Sequence, residues 1–290
     1  MELKNLFPAL EKGDKIGIAS ISGRVEKGKI LEGAKFIENF GYFPVFAENI
    51  FDSYRYLSGS DESRINGFLN LLGQKDIKGI IFARGGFGCI RIVDKIDVSS
   101  LNEFNGFFMG YSDITIFLNL IMEKSNNFVF HGPNLSDINK SDSGLIENIF
   151  KGLIPRDLCP DKVFLRSGKA RGILCGGNLA SLASLCGTKF MPVFKDKILF
   201  IEDVNESPYK IDKMLSQMRL CGYFEYLRGV IAGSFEGCGS LDIIIEILME
   251  NFKNIPIVFS DLYGHGKINN PLLLGRAVEI NSFTERVSNL

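Results

Sequence analysis

A single serine stands between two apolar runs of different character at residues 107–120, FFMGYSDITIFLNL. The first run is short and aromatic, as in a buried strand, whereas the second has apolar residues at helical intervals. Ser112 therefore lies at a predicted strand-to-helix turn, which in a nucleophile elbow exposes the hydroxyl beside a helix N-terminus. The same position also suits a helix N-cap. Because Ile114 stands where the motif G-x-S-x-G requires glycine, an ordinary α/β-hydrolase is disfavoured.

A serine hydroxyl is a weak nucleophile until a base removes its proton, and the chain has only two histidines to serve as that base. His131 follows an unbroken apolar run and precedes Gly-Pro, whereas His265 lies between two glycines after a predicted strand. Glycine flanks let the backbone turn sharply and present the imidazole to a cleft, which favours His265. The acid that orients the imidazole could be Glu202, Asp203 or Glu206, and the residues alone leave this choice open.

Consecutive glycines in ARGGFG, residues 83–88, allow backbone N–H groups to approach a phosphate, a carboxylate or an oxyanion, although they also suit a simple tight turn. The segment fails as a dinucleotide fingerprint because it lacks the G-x-G-x-x-G spacing and a downstream acidic residue for a ribose. The six cysteines form no C-x-x-C pair, which disfavours a zinc site and a dense disulfide framework. We therefore expect no cofactor and no metal.

Charge and hydropathy restrict the partners and the compartment. The 33 Lys and Arg residues nearly balance the 34 Asp and Glu residues, so the formal charge of -1 gives no electrostatic footprint for nucleic acid or an anionic membrane. Charges recur every few residues at the N-terminus, where a signal peptide would need an apolar region, and no apolar run approaches membrane-spanning length. We expect a cytoplasmic protein whose partner is small or neutral.

The elements that must position these side chains alternate in type along residues 1–153. Short apolar runs such as KIGIAS and KGIIFAR are separated by helical patterns near 26–40 and 61–73. Such alternation is typical of βαβ units and a mostly parallel sheet. The prediction is therefore an α/β protein with a doubly wound N-terminal domain.

Residues 154–169 contain two prolines and no helical period, so this segment is predicted to be a linker. Residues 170–290 again alternate apolar runs with helical patterns and end in PLLLGRAVEINSF, which is typical of antiparallel strands. Residues 170–290 are therefore predicted to form a mixed α/β C-terminal domain. The polar residues described above come at the ends of apolar runs, and ligands bind outside the carboxyl ends of strands in open α/β sheets.

Motifs spread through almost the whole chain together resemble the LD-carboxypeptidases, serine peptidases with a Ser-Glu-His triad that include the microcin C self-immunity peptidases. The matching motifs are ARGGFGCIR, GYSDIT, HGP, GILCGGNLASLASLCGT, LFIEDVNESPYKIDKMLSQ, GSF, and GHG followed by PLLLG. The resemblance implies that Ser112 is the nucleophile, Glu202 the acid and His265 the base. The segment ASISG at 19–23 differs from the proline-serine turn that the family has after its first strand.

The resemblance also implies an oxyanion hole from the backbone N–H groups of Gly86 and Asp113, with Arg84 and Asn178 as substrate-positioning residues. The implied substrate is a murein tetrapeptide, cut between a diamino acid (meso-diaminopimelate or L-lysine) and terminal D-alanine in peptidoglycan recycling. The implied assembly is a homodimer. The nucleophile and the base come from different predicted domains, so we expect the site where the domains meet.

Two other functions remain open. A microcin C-type peptidase would cut a peptidyl-nucleotide amide; that branch tends to use a large aromatic residue, often tryptophan, against the nucleobase, and this chain has no tryptophan. A non-catalytic protein would bind an anionic ligand over ARGGFG and use Ser112 only as a helix cap.

Overall fold

The computed structural model describes residues 2–3 and 8–290 and divides the chain into two compact units, Glu2–Ile154 and Pro155–Leu290. Both units are α/β, with a mostly parallel sheet in the first and a mixed sheet in the second, so the predicted fold class is confirmed. Within the described residues, no helix combines the length and the apolar character needed to cross a bilayer.

The first unit contains alternating strands and helices, together with three 3₁₀ turns at Cys89–Arg91, Ser112–Ile114 and Leu135–Lys140. Its strands and helices are β1 (Glu2–Leu3), β2 (Lys15–Ala19), α1 (Lys27–Asn39), β3 (Phe43–Phe46), α2 (Asp61–Leu72), β4 (Ile77–Phe82), α3 (Val98–Glu103), β5 (Phe107–Gly110), α4 (Thr115–Lys124), β6 (Phe128–His131) and α5 (Ser143–Phe150).

Strands β2 to β6 lie in the order β3-β2-β4-β5-β6, and each pairing between neighbours is parallel. Strand order reverses between β2 and β4, so the carboxyl ends of these two strands form a topological switch point. The segments that leave this point, 20–23 and 83–88, are therefore well placed to bind a ligand. The turn at Ser112 follows the next strand, β5.

Local sequence explains why these elements form. Parallel strands are covered on both faces, and β5 is accordingly a continuous buried apolar run. Helix α2 begins after Ser60, whose hydroxyl accepts the backbone N–H of Ser63 at 3.0 Å. Helix α5 begins in the same way after Asp142, which accepts from Leu145 at 2.8 Å. These two caps fix where α2 and α5 start.

The second unit is built around a seven-stranded sheet in the order β15-β14-β9-β10-β11-β12-β8. Strands β9 to β12 pair in parallel, whereas β8, β14 and β15 are antiparallel to their neighbours. Antiparallel pairing was predicted for the stretch PLLLGRAVEINSF, which contains β14, but not for β8. Its strands and helices are β7 (Ile154–Pro155), β8 (Val163–Arg166), β9 (Lys169–Asn178), α6 (Leu179–Ala183), β10 (Lys197–Val204), α7 (Pro208–Leu220), β11 (Gly229–Glu236), α8 (Leu241–Asn251), β12 (Ile257–Phe259), β13 (Leu272–Leu274), β14 (Ala277–Asn281) and β15 (Arg286–Asn289).

The segment predicted to be a linker, 154–169, contributes a strand to this second unit. Its residues Val163–Arg166 form β8, which pairs antiparallel with β12 at the edge of the sheet. Arg166 anchors the strand because its guanidinium donates to the carbonyls of Phe252 and, at 2.9 Å, Met249. The strand has only four residues, too few for a clear alternation of apolar and polar residues, and the two prolines of the segment are typical of irregular structure.

Candidate active site

Ser112 occupies a strained turn after β5. Its φ is +64°, a backbone region that costs a residue other than glycine on the order of 1–3 kcal/mol. Residues Ser112–Ile114 form one 3₁₀ turn that continues directly into α4. Strand, strained serine and helix thus have the arrangement of a nucleophile elbow.

Two glycines make room for this turn. A Cβ at position 110 would lie 3.0 Å from Cγ2 of Ile114, so the lack of a side chain at Gly110 leaves room for the isoleucine that stands at the second glycine position of G-x-S-x-G. A Cβ at position 85 would lie 2.6 Å from the Cβ of Ser112, so the backbone of Gly85 packs directly against the serine.

The predicted oxyanion donors lie on either side of this contact. Gly86 follows Gly85, is exposed and has a φ of +111°, while Asp113 follows the serine. Neither backbone N–H donates a hydrogen bond within the part of the chain that the structure describes. Two such donors can stabilise the negative charge of a tetrahedral intermediate. Arg84 is exposed, and its guanidinium donates to the carbonyl of Arg24 at 2.6 Å.

The second unit brings the predicted acid and base together. Glu202 is fully buried on β10, and its Oε2 lies 2.6 Å from Nδ1 of His265. The same oxygen accepts the backbone N–H of His265 at 3.2 Å. The imidazole side chain is 15% exposed. A neutral imidazole that donates Nδ1–H to the carboxylate has Nε2 as its basic nitrogen, the arrangement that a general base requires.

Local irregularities of the sheet hold this pair in place. The register of β10 against β11 shifts between Ile201 and Asp203, on either side of Glu202. Ser234 of β11 donates its N–H to the carbonyl of Tyr263 at 2.8 Å, which ties the loop before His265 to this strand. Asn269 accepts the N–H of Gly264 at 3.0 Å. Gly264 has a φ of +98°, and a Cβ there would lie 2.6 Å from Oε2 of Glu202. The loop before His265 is thus fitted closely against the acid.

The other two acids that the sequence offered have different partners. Asp203 accepts the amide N–H of Asn178 at 3.0 Å and a backbone N–H from the first turn of α6 at 2.9 Å. Burial, followed by the neighbouring charge of Glu202, raises the pKa of Asp203 to about 6. Glu206 forms an ion pair with Lys210 at 3.0 Å. Of the three, Glu202 is therefore the acid that contacts the imidazole.

The side chains of Asn178 and His131 have structural contacts within their own units. Asn178 caps α6, because its Oδ1 accepts the N–H of Ser181 at 3.0 Å, and its amide nitrogen binds Asp203. His131 is fully buried at the end of β6, and its ring lies edge-on to Tyr111 with 6.2 Å between centroids. The substrate-positioning role of Asn178 stays a prediction.

The predicted site residues divide between the units. The first unit holds Arg84, Gly86, Ser112 and Asp113, and the second holds Asn178, Glu202 and His265.

Two residues that were not predicted form hydrogen bonds around the site residues of the first unit. Ser22 donates its hydroxyl to Asp113 at 2.6 Å, and the fully buried Arg64 donates to the carbonyls of Gly88, at 3.0 Å, and Ile21. The position of Ser22 after a predicted strand could have indicated a site residue. Arg64 gave none, because an arginine in a helix is usually solvated.

Comparison with known proteins places both units in one family. The model of the LD-carboxypeptidase N-terminal domain matches residues 16–132, and the model of the C-terminal domain matches residues 171–280. A probable murein peptide carboxypeptidase of Bacillus subtilis is 34% identical over 239 residues, covering 79% of this chain and 75% of its own. A putative carboxypeptidase of Synechocystis is 30% identical over 281 residues, covering 94% and 93%.

A solved structure shares the fold over nearly the full length. The crystal structure of an MccF-like protein from Bacillus anthracis superposes with a TM-score of 0.89 at 23% sequence identity, covering 99% of each chain.

Proposed function

Because the chain belongs to the LD-carboxypeptidase family, we propose that it is a serine carboxypeptidase that releases terminal D-alanine from murein tetrapeptides. The bond cut is the amide between the L-centre of meso-diaminopimelate or L-lysine and D-alanine. The observation behind the proposal is the 2.6 Å contact between the buried carboxylate of Glu202 and Nδ1 of His265. We further propose that the enzyme acts as a homodimer in cytoplasmic peptidoglycan recycling.

The proposed reaction is acyl transfer through Ser112. Nε2 of His265 takes the hydroxyl proton as the serine oxygen attacks the amide carbon, and the backbone N–H groups of Gly86 and Asp113 stabilise the resulting oxyanion. His265 then gives the proton to the nitrogen of D-alanine as the carbon–nitrogen bond breaks. Water attacks the remaining ester in the same way and restores the serine. Glu202 stabilises the imidazolium in both steps.

Recognition of the leaving group needs a cation or N–H donors for its carboxylate. Arg84 is the proposed cation, since its guanidinium is exposed and fixed at one side by the carbonyl of Arg24. A leaving group with a free carboxylate, a single terminal amino acid, would then be selected over longer peptides.

The test is release of free D-alanine from L-Ala-D-Glu-meso-diaminopimelate-D-Ala by the purified protein. Ser112→Ala should lower kcat by roughly 10⁴ to 10⁶, the usual loss for a triad nucleophile. Ser100→Ala is the matched control, because this serine lies in the same unit and its hydroxyl donates to a local carbonyl, that of Asp97, at 2.6 Å. Wild-type activity in Ser112→Ala would remove the nucleophile assignment.

A microcin C-type peptidase is the second candidate, and the likeness of fold to the MccF-like protein of Bacillus anthracis favours it. The absence of tryptophan from the sequence weighs against an aromatic platform for a nucleobase. Cleavage of an aminoacyl-nucleotide amide with no release of D-alanine from the tetrapeptide would select this function. Binding of an anion with neither activity would select a non-catalytic protein.

A further inference from the structure

The side chain of Asp113 joins three segments of the first unit. The residue is only 6% exposed, and its Oδ2 accepts both the hydroxyl of Ser22 at 2.6 Å and the backbone N–H of Cys89 at 2.9 Å. Its partners lie 91 and 24 residues away in sequence, in the segments after β2 and β4. The short O–H···O distance is typical of a bond to a charged acceptor. This carboxylate therefore ties both segments to the elbow.

One of the tied segments carries a predicted oxyanion donor. Residues 84–89 include glycines at 85, 86 and 88, and the last two have φ values of +111° and +146°. Glycines lose more conformational entropy on ordering than other residues, so such a segment needs external contacts to hold one geometry. Gly23 fixes its beginning by donating to the carbonyl of Gly85 at 3.1 Å, and Asp113 fixes its end at Cys89.

A buried arginine also holds the end of this segment. Arg64 donates to the carbonyl of Gly88 at 3.0 Å, and its guanidinium is paired with Asp61 at 2.7 Å. Burial and then the charge of Asp113 raise the pKa of the Cys89 thiol, so the thiol stays neutral beside the carboxylate.

We propose that Asp113 is a positioning residue whose carboxylate fixes the N–H of Gly86 relative to its own backbone N–H. Both donors are then set for the oxyanion before the substrate binds, which is how such sites lower a barrier without reorganisation. The inference rests on the proposed function, because it assigns the two donors to one reaction.

The first test separates kcat from KM in Asp113→Asn, which keeps the size of the side chain and removes its charge. Oxyanion donors act on the transition state, so kcat should fall about 10²-fold while KM stays within about twofold. Ser22→Ala removes one of the two ties and should lower kcat about 10-fold.

The matched control is Asn127→Ala in the same unit. Asn127 also makes two long-range bonds, to the carbonyl of Leu101 at 2.6 Å and from the N–H of Gly106 at 3.1 Å, but neither reaches residues 84–89. Its loss should lower the unfolding temperature and leave kcat within about twofold of wild type.

The second test does not depend on activity. Hydrogen–deuterium exchange of the peptide covering residues 84–89 should be at least about 10-fold faster in Asp113→Asn and unchanged in Asn127→Ala. Wild-type kcat or wild-type exchange in Asp113→Asn overturns the inference. If the wild-type protein releases no D-alanine, the proposed function fails and the exchange result alone decides the positioning role. If Asp113→Asn does not fold, Ser22→Ala is judged by the same two measurements.

Discussion

Replacing Glu202 with glutamine tests the proposed acid most directly. In the native structure one buried oxygen faces both Nδ1 and the backbone N–H of His265. Glutamine keeps the shape but has no charge, and its amide nitrogen can donate to Nδ1. The imidazole then carries its proton on Nε2 and cannot accept one from the serine.

The size of the effect follows from the geometry. The carboxylate is fully buried and 2.6 Å from the ring, so solvent cannot replace it as a partner for the imidazolium. Loss of the equivalent charge in a serine triad lowers kcat by about 10⁴, which corresponds to roughly 5 kcal/mol in the barrier. Since the acid stabilises a charge that forms only during the reaction, KM should stay within about twofold.

The assay is steady-state release of D-alanine from the tetrapeptide, with circular dichroism to verify folding. Asp203→Asn is the control, because this neighbouring carboxylate of the same strand is also buried but binds Asn178 and α6 rather than the imidazole. We expect it to lower kcat less than about 10-fold. Glu202→Gln with more than about a tenth of wild-type kcat, or an equal loss in Asp203→Asn, would refute the assignment of the acid.

Two further predictions concern the surroundings of this acid. Gly264→Ala places a methyl group 2.6 Å from Oε2 of Glu202 at a φ of +98°, so it should lower the unfolding free energy by about 2 kcal/mol or more and kcat at least about 10-fold. Gly187→Ala is the control: its φ is +80°, and an added Cβ would have no atom within 4 Å. It should lower the unfolding free energy, measured in urea, only by the backbone strain of about 1 kcal/mol. Burial and the charge of Glu202 raise the pKa of Asp203 from 3.8 to about 6, so the stability it contributes is full below pH 3.8 and is lost as pH rises through 6. Urea unfolding across this window should show a smaller fall in Asp203→Asn; an identical fall would contradict the raised pKa.

Much of the fold was predictable because buried parallel strands leave a strong signal. The helices expected at 26–40 and 61–73 are Lys27–Asn39 and Asp61–Leu72, and the second begins at a serine cap that the sequence shows. The alternation of apolar runs and helices also gave the two α/β units. The strand at Val163–Arg166 was not predicted, because a short edge strand between irregular segments has little periodicity to detect.

From the residues alone, the site could be predicted only in part. Strand ends indicated Ser112 and His265, but Glu202 could be chosen over Asp203 only through the family resemblance. The reason is physical: adjacent residues of a strand point to opposite faces, and which face meets the histidine depends on contacts 63 residues away. The tie between Ser22 and Asp113 spans 91 residues and has no local pattern at all.

The proposed catalytic residues of each unit share one structural feature: a glycine backbone lies directly against one of their side chains. A methyl group on Gly85 would come within 2.6 Å of the Cβ of Ser112, and one on Gly264 would come as close to Oε2 of Glu202. A side chain at either position would push the reacting group by at least several tenths of an ångström, which is enough to disturb a hydrogen-bonded geometry. These glycines therefore fix positions rather than provide flexibility. Gly86 is a different case: no Cβ restricts its backbone, which has a φ of +111°, so contacts of neighbouring residues, including the proposed tie through Asp113, must fix the direction of its N–H.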